Sequence, residues 1–394
     1  MSDAVDRFRR YAERAQGQPP PPAMPPIVRQ RFPVGFAAQA GDRGPVPVRV
    51  TQREIGAVSA LNSRWPARVA RAELGPVAGW RFVDLETTGL GAGAGNRAFL
   101  VGVGTLDGPH LTVRQYLLED LDRETCLLDA CMAAFNGASA VVTFNGKSFD
   151  WPLLRDRCRL AGVPDPPGLA HWDVLHAARR MFGPALGACD LRRLEAELLG
   201  TPRGPDVQGA EIPALYGAWL DGDDSALDAV VRHHLEDICA LAGVAAMVAG
   251  ALEGGGQPEW TAARLWGLAR AYESVGAAEE ALAAYALARR GGYRDAGTAA
   301  ARLLKRLGRR DEALALWDAE RRGPVPSLEA AVEVAKDLEH RQRAPAAALR
   351  VVLEAVPLAA AVGSERRGAL RQRLERLQRK VDASERKFER QEGE

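Results

Sequence analysis

The sequence predicts an α/β domain built on a mixed sheet, followed by an all-α unit. Three observations carry that prediction. Three β-like runs joined by short turns begin at Trp80, helical and β-like segments then alternate to about residue 252, and β-like runs vanish beyond the linker EGGGQPE at 253–259.

Taken in order, the chain opens on a short charged helix, MSDAVDRFRRYAER, and a proline-rich stretch, GQPPPPAMPP, that favours extended polyproline geometry. Together they make residues 1–40 an N-terminal helix and proline-rich tail. Residues 41–78 give mixed signals and read as a connecting segment. RFVDLE, AFLVGVGT and HLTVRQYLL are three strands, and the short connection at 106–109 makes the second and third antiparallel. A helix over about 122–136, a strand SAVVTFN at 139–145 and a short strand in AHWDV complete a mixed five-stranded sheet flanked by helices, residues 79–252. Beyond the linker, Gly276, Ala281 and Tyr285 recur as Gly308, Ala313 and Trp317, 32 residues later, with a fainter copy around Ala347. Small residues at helix crossings with a period near 34 resemble tetratricopeptide repeats. They assign 253–362 to helical repeats, whose concave surface suits a protein partner. In the last segment, 363–394, Leu370, Leu374, Leu377 and Val381 share one face of a strongly charged helix that caps the unit or meets a partner.

Composition narrows the functional classes. The formal net charge of +1 argues against a protein that merely coats nucleic acid, while leaving room for a local basic groove. The five cysteines (Cys126, Cys131, Cys158, Cys189, Cys239) form no C-x-x-C pair, which argues against a zinc site or a disulfide framework. The charged N-terminus lacks the apolar centre of a signal peptide, and the longest weakly polar run, 238–252, falls short of the roughly 20 residues a membrane span needs. The expectation is a cytoplasmic protein with no membrane partner.

Chemistry concentrates in three segments. In RFVDLETTGL, strand alternation turns Asp84 and Glu86 to one face, about 7 Å apart by strand rise, and Val83 and Leu85 to the other. Two carboxylates among core-seeking neighbours repel each other unless a cation neutralises them, and all-oxygen donors favour Mg²⁺ or Mn²⁺. Gly89 permits a tight turn, whose amides with the Thr87 and Thr88 hydroxyls would hold a nucleotide end. In VVTFNGKSFDWPLL, a turn at Asn145-Gly146 precedes a helix that starts near Phe149 and carries Asp150 in its first turn. Lys147-Ser148 makes no phosphate loop, because the required glycine is replaced by Val141, and GLGAGAG lies between two strands, which rules out a dinucleotide fingerprint.

In the helix DSALDAVVRHHLEDICALAG, a step of 100° per residue puts Leu227, Val231, His234, Ile238 and Leu241 on one apolar stripe. His233 and Asp237 lie together on its flank, and Glu236 falls on the solvated face. Helical phase therefore makes His233 and Asp237 the functional pair and His234 a buried, hydrogen-bonded residue. Asp173 supports the site from a neighbouring strand, whereas Asp190 reads as a helix cap and Glu195 as a surface residue.

Together, ETTGL, the glycine-rich turn, AFLVGVG, TFNGKSFDWPLL, HWDVLHAARR, EIPALY and HHLEDICAL resemble the DEDD exonuclease superfamily, and within it the bacterial YprB-like group of predicted exonucleases. The resemblance spans roughly residues 78–252. It implies a ribonuclease-H-like fold and metal ligands at Asp84, Glu86, Asp150 and Asp237, with the general-base position at His233. It also implies that Thr87, Thr88, Gly89 and Leu90 hold the terminal nucleotide, with Asn145, Lys147 and Phe149 near the strand's backbone. The chain departs from the pattern at the histidines. Relatives with a histidine base usually place it five residues before the last aspartate, and the YprB-like group usually has His-Asn where this chain has His233-His234. The expected function is a two-cation 3′–5′ exonuclease acting on DNA or RNA. The alternative is a nucleic-acid-binding scaffold with a vestigial site and partner-recruiting repeats.

Overall fold

The computed structural model describes residues 32–56, 58–89, 95–256, 259–361 and 363–392. The expected N-terminal helix, the proline-rich stretch and Leu90 lie outside them. The chain divides into two compact units, the first ending at Gly254 and the second beginning at Gly255.

The first unit is a sheet flanked by helices. Its strands are β1 (Ala37–Gln39), β2 (Val46–Glu54), β3 (Trp80–Thr87), β4 (Ala98–Asp107), β5 (His110–Leu117), β6 (Ala140–Thr143) and β7 (Ala170–Asp173). They lie in the order β1-β2-β5-β4-β3-β6-β7. The β3–β6 and β6–β7 pairs are parallel and the other four antiparallel, so the sheet is mixed as the sequence predicts. A two-residue turn joins β4 to β5, with Gly108 supplying the positive φ of 55°.

Among the described residues the sheet has seven strands, not five. Residues 41–78, read as a connecting segment, contribute β2, which runs antiparallel beside β5 and buries Val46 and Val48. The valine alternation was visible, but Pro45 and Pro47 and the charged second half of β2 weakened the strand signal.

The helices of this unit are α1 (Trp65–Ala70), α2 (Glu124–Ala133), α3 (Asp150–Leu160), α4 (Val174–Leu186), α5 (Leu191–Leu194), α6 (Ile212–Leu220) and α7 (Asp228–Gly254). Helix α7 is long and apolar enough to cross a membrane, and most of its apolar stretch is buried within the domain, where it is the core helix. It packs on β3, β4 and β5. Asp84, Gly102 and Gln115 form one transverse row across these strands. A Cβ at Gly102 would stand 2.1 Å from Ile238 Cδ1 and 2.6 Å from His234 Cε1. Glycine in AFLVGVG is therefore what lets α7 close onto the sheet.

The second unit is all helical: α8 (Ala262–Ser274), α9 (Ala278–Arg290), α10 (Ala296–Arg306), α11 (Arg310–Arg322), α12 (Leu328–His340), α13 (Pro345–Ala355) and α14 (Ser364–Glu392). The first three pairs are hairpins. Gly276 and Gly308 turn two of them at positive φ, and Arg343 takes that conformation in the third. Ala281 and Tyr285, then Ala313 and Trp317, are buried at equivalent places. In the third hairpin the buried alanine is Ala348, one residue beyond the expected Ala347. Leu370 and Leu377 of α14 join this unit's core.

Candidate active site

Strand β3 delivers the first two acids. Asp84 lies opposite Gly102 and Glu86 opposite Leu100, and a register shift after Glu86 ends regular pairing. Burial, reinforced by Asp237, Asp150 and Glu86, holds the Asp84 carboxyl well above its ordinary pKa, although Arg203 pulls the other way. Burial together with Asp237, Asp150 and Asp206 does the same for Glu86.

Asp150 is the first residue of α3 and is buried. Asn145, at a φ of 69°, and Gly146 turn the chain between β6 and this helix. A Cβ at Gly146 would lie 2.5 Å from Asp150 Oδ2, so only glycine leaves room for that carboxylate. Burial first, and Asp173 second, push Asp150 up to about 7. Asp173 supports the turn, as its place in AHWDVLH suggested. Its carboxylate accepts the amides of Asn145 (2.9 Å) and Lys147 (3.2 Å) and caps α4 through Leu175 N. The side chains of Asn145 and Lys147 are exposed beside Asp150, and Phe149 is half-buried.

Helix α7 delivers the remaining pair, and the phase argument holds. His234 is 0% exposed. Its Nδ1 accepts from Gln115 Nε2 at 3.0 Å, and its Nε2 donates to the Asp84 carbonyl at 3.1 Å. The same Gln115 nitrogen donates to Val231 O, which fixes the amide's orientation. Burial pushes His234 down to about 4, so it is a neutral pin between helix and sheet. His233 faces the acids, with Nε2 3.3 Å from Asp237 Oδ2 and 3.9 Å from Glu86 Oε1.

The Thr87 and Thr88 hydroxyls are engaged within the glycine turn. Thr87 donates to Gly89 O at 2.7 Å, while Thr88 donates to Asn96 Oδ1 and accepts from Arg97 N. Both hydroxyl protons are committed to shaping the turn, and a phosphate oxygen would have to displace an existing acceptor.

Three residues escaped the sequence reading. Glu195, expected at the surface, is buried in a π-helical turn (Glu195–Leu199) and lies 2.5 Å from Arg203 Nε. Arg203, with 3% of its side chain exposed, reaches Asp237 Oδ1 with Nη2 at 2.6 Å. Asp206 stands 2.9 Å from His233 Nδ1. Glu236 keeps 42% of its side chain exposed at the edge of this network. TPRGPDVQG has no periodicity, so nothing local indicates which of its charges turn inward.

The donor set of Asp84, Glu86, Asp150 and Asp237 is all-oxygen, anionic and largely desolvated, which is the chemistry a hard divalent cation fits. The acids share one electrostatic environment without converging on a point. Among the described residues no three carboxylate, imidazole or thiolate groups are close enough to hold one ion, and Asp237 is paired with Arg203.

The sequence profile of the RNase_H superfamily matches residues 81–249. Over 310 residues the chain is 29% identical to the uncharacterized protein YprB of Bacillus subtilis (strain 168), covering 77% of this chain and 75% of that one. Among solved structures, the family B DNA polymerase of the hyperthermophilic archaeon Pyrobaculum calidifontis aligns over 54% of this chain and 29% of its own, at 20% identity and a TM-score of 0.36. The chain thus spans under a third of that polymerase, a likeness too loose to bear on function. Residues 81–249, with their mixed sheet and their acids gathered from β3, α3 and α7, thus form an RNase H-like domain, similar to the RNase_H superfamily.

Proposed function

We propose that the first unit is a cytoplasmic 3′–5′ exonuclease that hydrolyses phosphodiester bonds of DNA or RNA with the aid of two divalent cations. One observation carries the reading: Asp150 from α3 and Asp237 from α7 raise the proton affinity of Asp84 and Glu86 on β3 in a single buried region. Such a cluster is tolerable when cations offset it.

Asp84, Glu86, Asp150 and Asp237 would hold the ions. Mg²⁺ or Mn²⁺ would supply positive charge for the attacking and leaving oxygens. His233 accepts the proton of the attacking water at Nε2, the nitrogen turned to Glu86 and Asp237. Asn145, Lys147 and Phe149 contact the strand from the turn beside Asp150, and the turn at Thr87, Thr88, Gly89 and Leu90 receives its end. The test is degradation of end-labelled single-stranded DNA and RNA with Mn²⁺ by wild type, Asp84→Ala and Asp150→Ala. Loss of activity in both variants is expected, and equal degradation by all three proteins ends the reading.

The Arg203–Asp237 pair favours a second reading, in which a guanidinium offsets the acids and the domain is a nucleic-acid-binding scaffold whose tetratricopeptide-like helices recruit a partner. Calorimetric titration separates the two. Absence of Mn²⁺ binding with nucleic-acid binding intact favours the scaffold.

A further inference from the structure

The loop between the π-helical turn and α6 sends Arg203 and Asp206 inward against His233. Both oxygens of the Asp206 carboxylate lie 2.9 Å from His233 Nδ1. An ionised carboxylate can only accept, so the proton belongs on Nδ1. Asp237 Oδ2 is the more distant carboxylate, 3.3 Å from Nε2, so in the neutral ring the closer Asp206 takes the hydrogen bond and leaves Nε2 as the unprotonated nitrogen facing Asp237 and Glu86. With 6% of the Asp206 side chain and 3% of Arg203 exposed, water competes little for these bonds.

Arg203 ties this arrangement to the acids. Its Nη1 is 3.4 Å from Asp206 Oδ2, its Nη2 2.6 Å from Asp237 Oδ1 and its Nε 2.5 Å from Glu195 Oε2. The planar guanidinium fixes the angles between those directions, so one rigid group holds both Asp206 and Asp237. The neighbouring His234 shows the opposite pattern. Its Nδ1 accepts from Gln115, which leaves the proton on Nε2. The partners of two adjacent imidazoles on one helix, drawn from different elements, thus favour opposite tautomers.

We propose that Asp206, held by Arg203, is a positioning residue that fixes the His233 ring with its proton on Nδ1 and presents Nε2 to the acid cluster. The catalytic consequence rests on the nuclease reading; the ring geometry does not.

The experiment uses the full chain labelled with ¹⁵N-histidine, with no added metal, and long-range ¹H–¹⁵N correlation of the neutral rings. His233 should show a protonated Nδ1 and His234 a protonated Nε2. Asp206→Asn, whose amide can donate to Nδ1, should move His233 towards the Nε2-protonated form, and Asp206→Glu should keep the wild-type pattern. In the nuclease assay, Asp206→Asn should lower kcat by about tenfold or more, the range for losing the partner that orients an active-site imidazole. KM should hold within about twofold, as befits a residue that acts through another, and Asp206→Glu should recover part of the loss. A wild-type His233 protonated at Nε2 overturns the proposal even if Asp206→Asn does not fold. So does an unchanged His233 pattern, or full kcat, in a folded Asp206→Asn protein. A wild type with the expected rings but no nuclease activity removes the nuclease reading and leaves the positioning intact.

Discussion

His233 and His234 are neighbours in sequence, and one residue of helical phase separates their environments. His234 touches Asp84, Gly102 and Gln115 at once. His234→Ala should therefore open a buried gap and remove one of the two acceptors of Gln115 Nε2, costing about 2–4 kcal/mol of stability. His233→Ala should leave stability within about 1 kcal/mol, because the ring is partly exposed and Asp206 keeps Arg203, while kcat falls. Denaturant unfolding of both variants beside their kcat values checks the division, and a reversed pair of outcomes would show that the phase assignment is wrong. Asp84, Glu86, Asp150 and both histidines were legible because period and turn chemistry assign faces locally. Arg203, Asp206 and Glu195 were not, because a loop side chain's direction depends on what the rest of the chain brings near it.

Among the elements, the contact of α7 with β4 decides how near Asp237 comes to the acids of β3. A Cβ at Gly102 would stand 2.1 Å from Ile238 Cδ1, whereas at Gly104 the nearest atom, Ile238 Cγ2, is 3.0 Å away. Overpacking of this kind costs on the order of 1–3 kcal/mol. Gly102→Ala should therefore destabilise more than Gly104→Ala and should also weaken Mn²⁺ binding, since it pushes Asp237 away from β3. Thermal unfolding and Mn²⁺ titration of the two variants give the order, and equal effects would show that the gap at Gly102 does not control the approach. The sequence announced both glycines as part of a strand. Their function as a seat for a helix was invisible, because the helix lies more than 100 residues away.

At the scale of the molecule, each compact unit carries its own core, so each should answer its own perturbation. Mn²⁺ at about 100 times its Kd should stabilise the first unit by about 2.7 kcal/mol and leave the second where it was, and Asp150→Ala should abolish that shift. The second unit should be sensitive to acid. Although burial opposes it, bonds from Arg376 and Lys380 hold the Glu339 carboxyl down to about 2, against an ordinary 4.5. A carboxyl depressed in the folded state contributes stability that is complete above pH 4.5 and is lost as pH falls towards 2. The loss should reach roughly 3 kcal/mol at most, and Glu339→Gln should remove this slope. Calorimetry across that window reads both effects. A Mn²⁺ shift in both transitions, or an acid slope unchanged in Glu339→Gln, contradicts them.

By itself the sequence determined the α/β-then-α order, the faces of β3 and α7, the turn before Asp150 and the small residues at the helix hairpins. Each of these follows from spacing along a few turns of backbone. Only the tertiary structure decided that β1 and β2 extend the sheet to seven strands, that Gly102 seats α7, and that Arg203 and Asp206 lie against Asp237 and His233. Those outcomes depend on distances between segments far apart in the chain, and no local period encodes a distance of that kind.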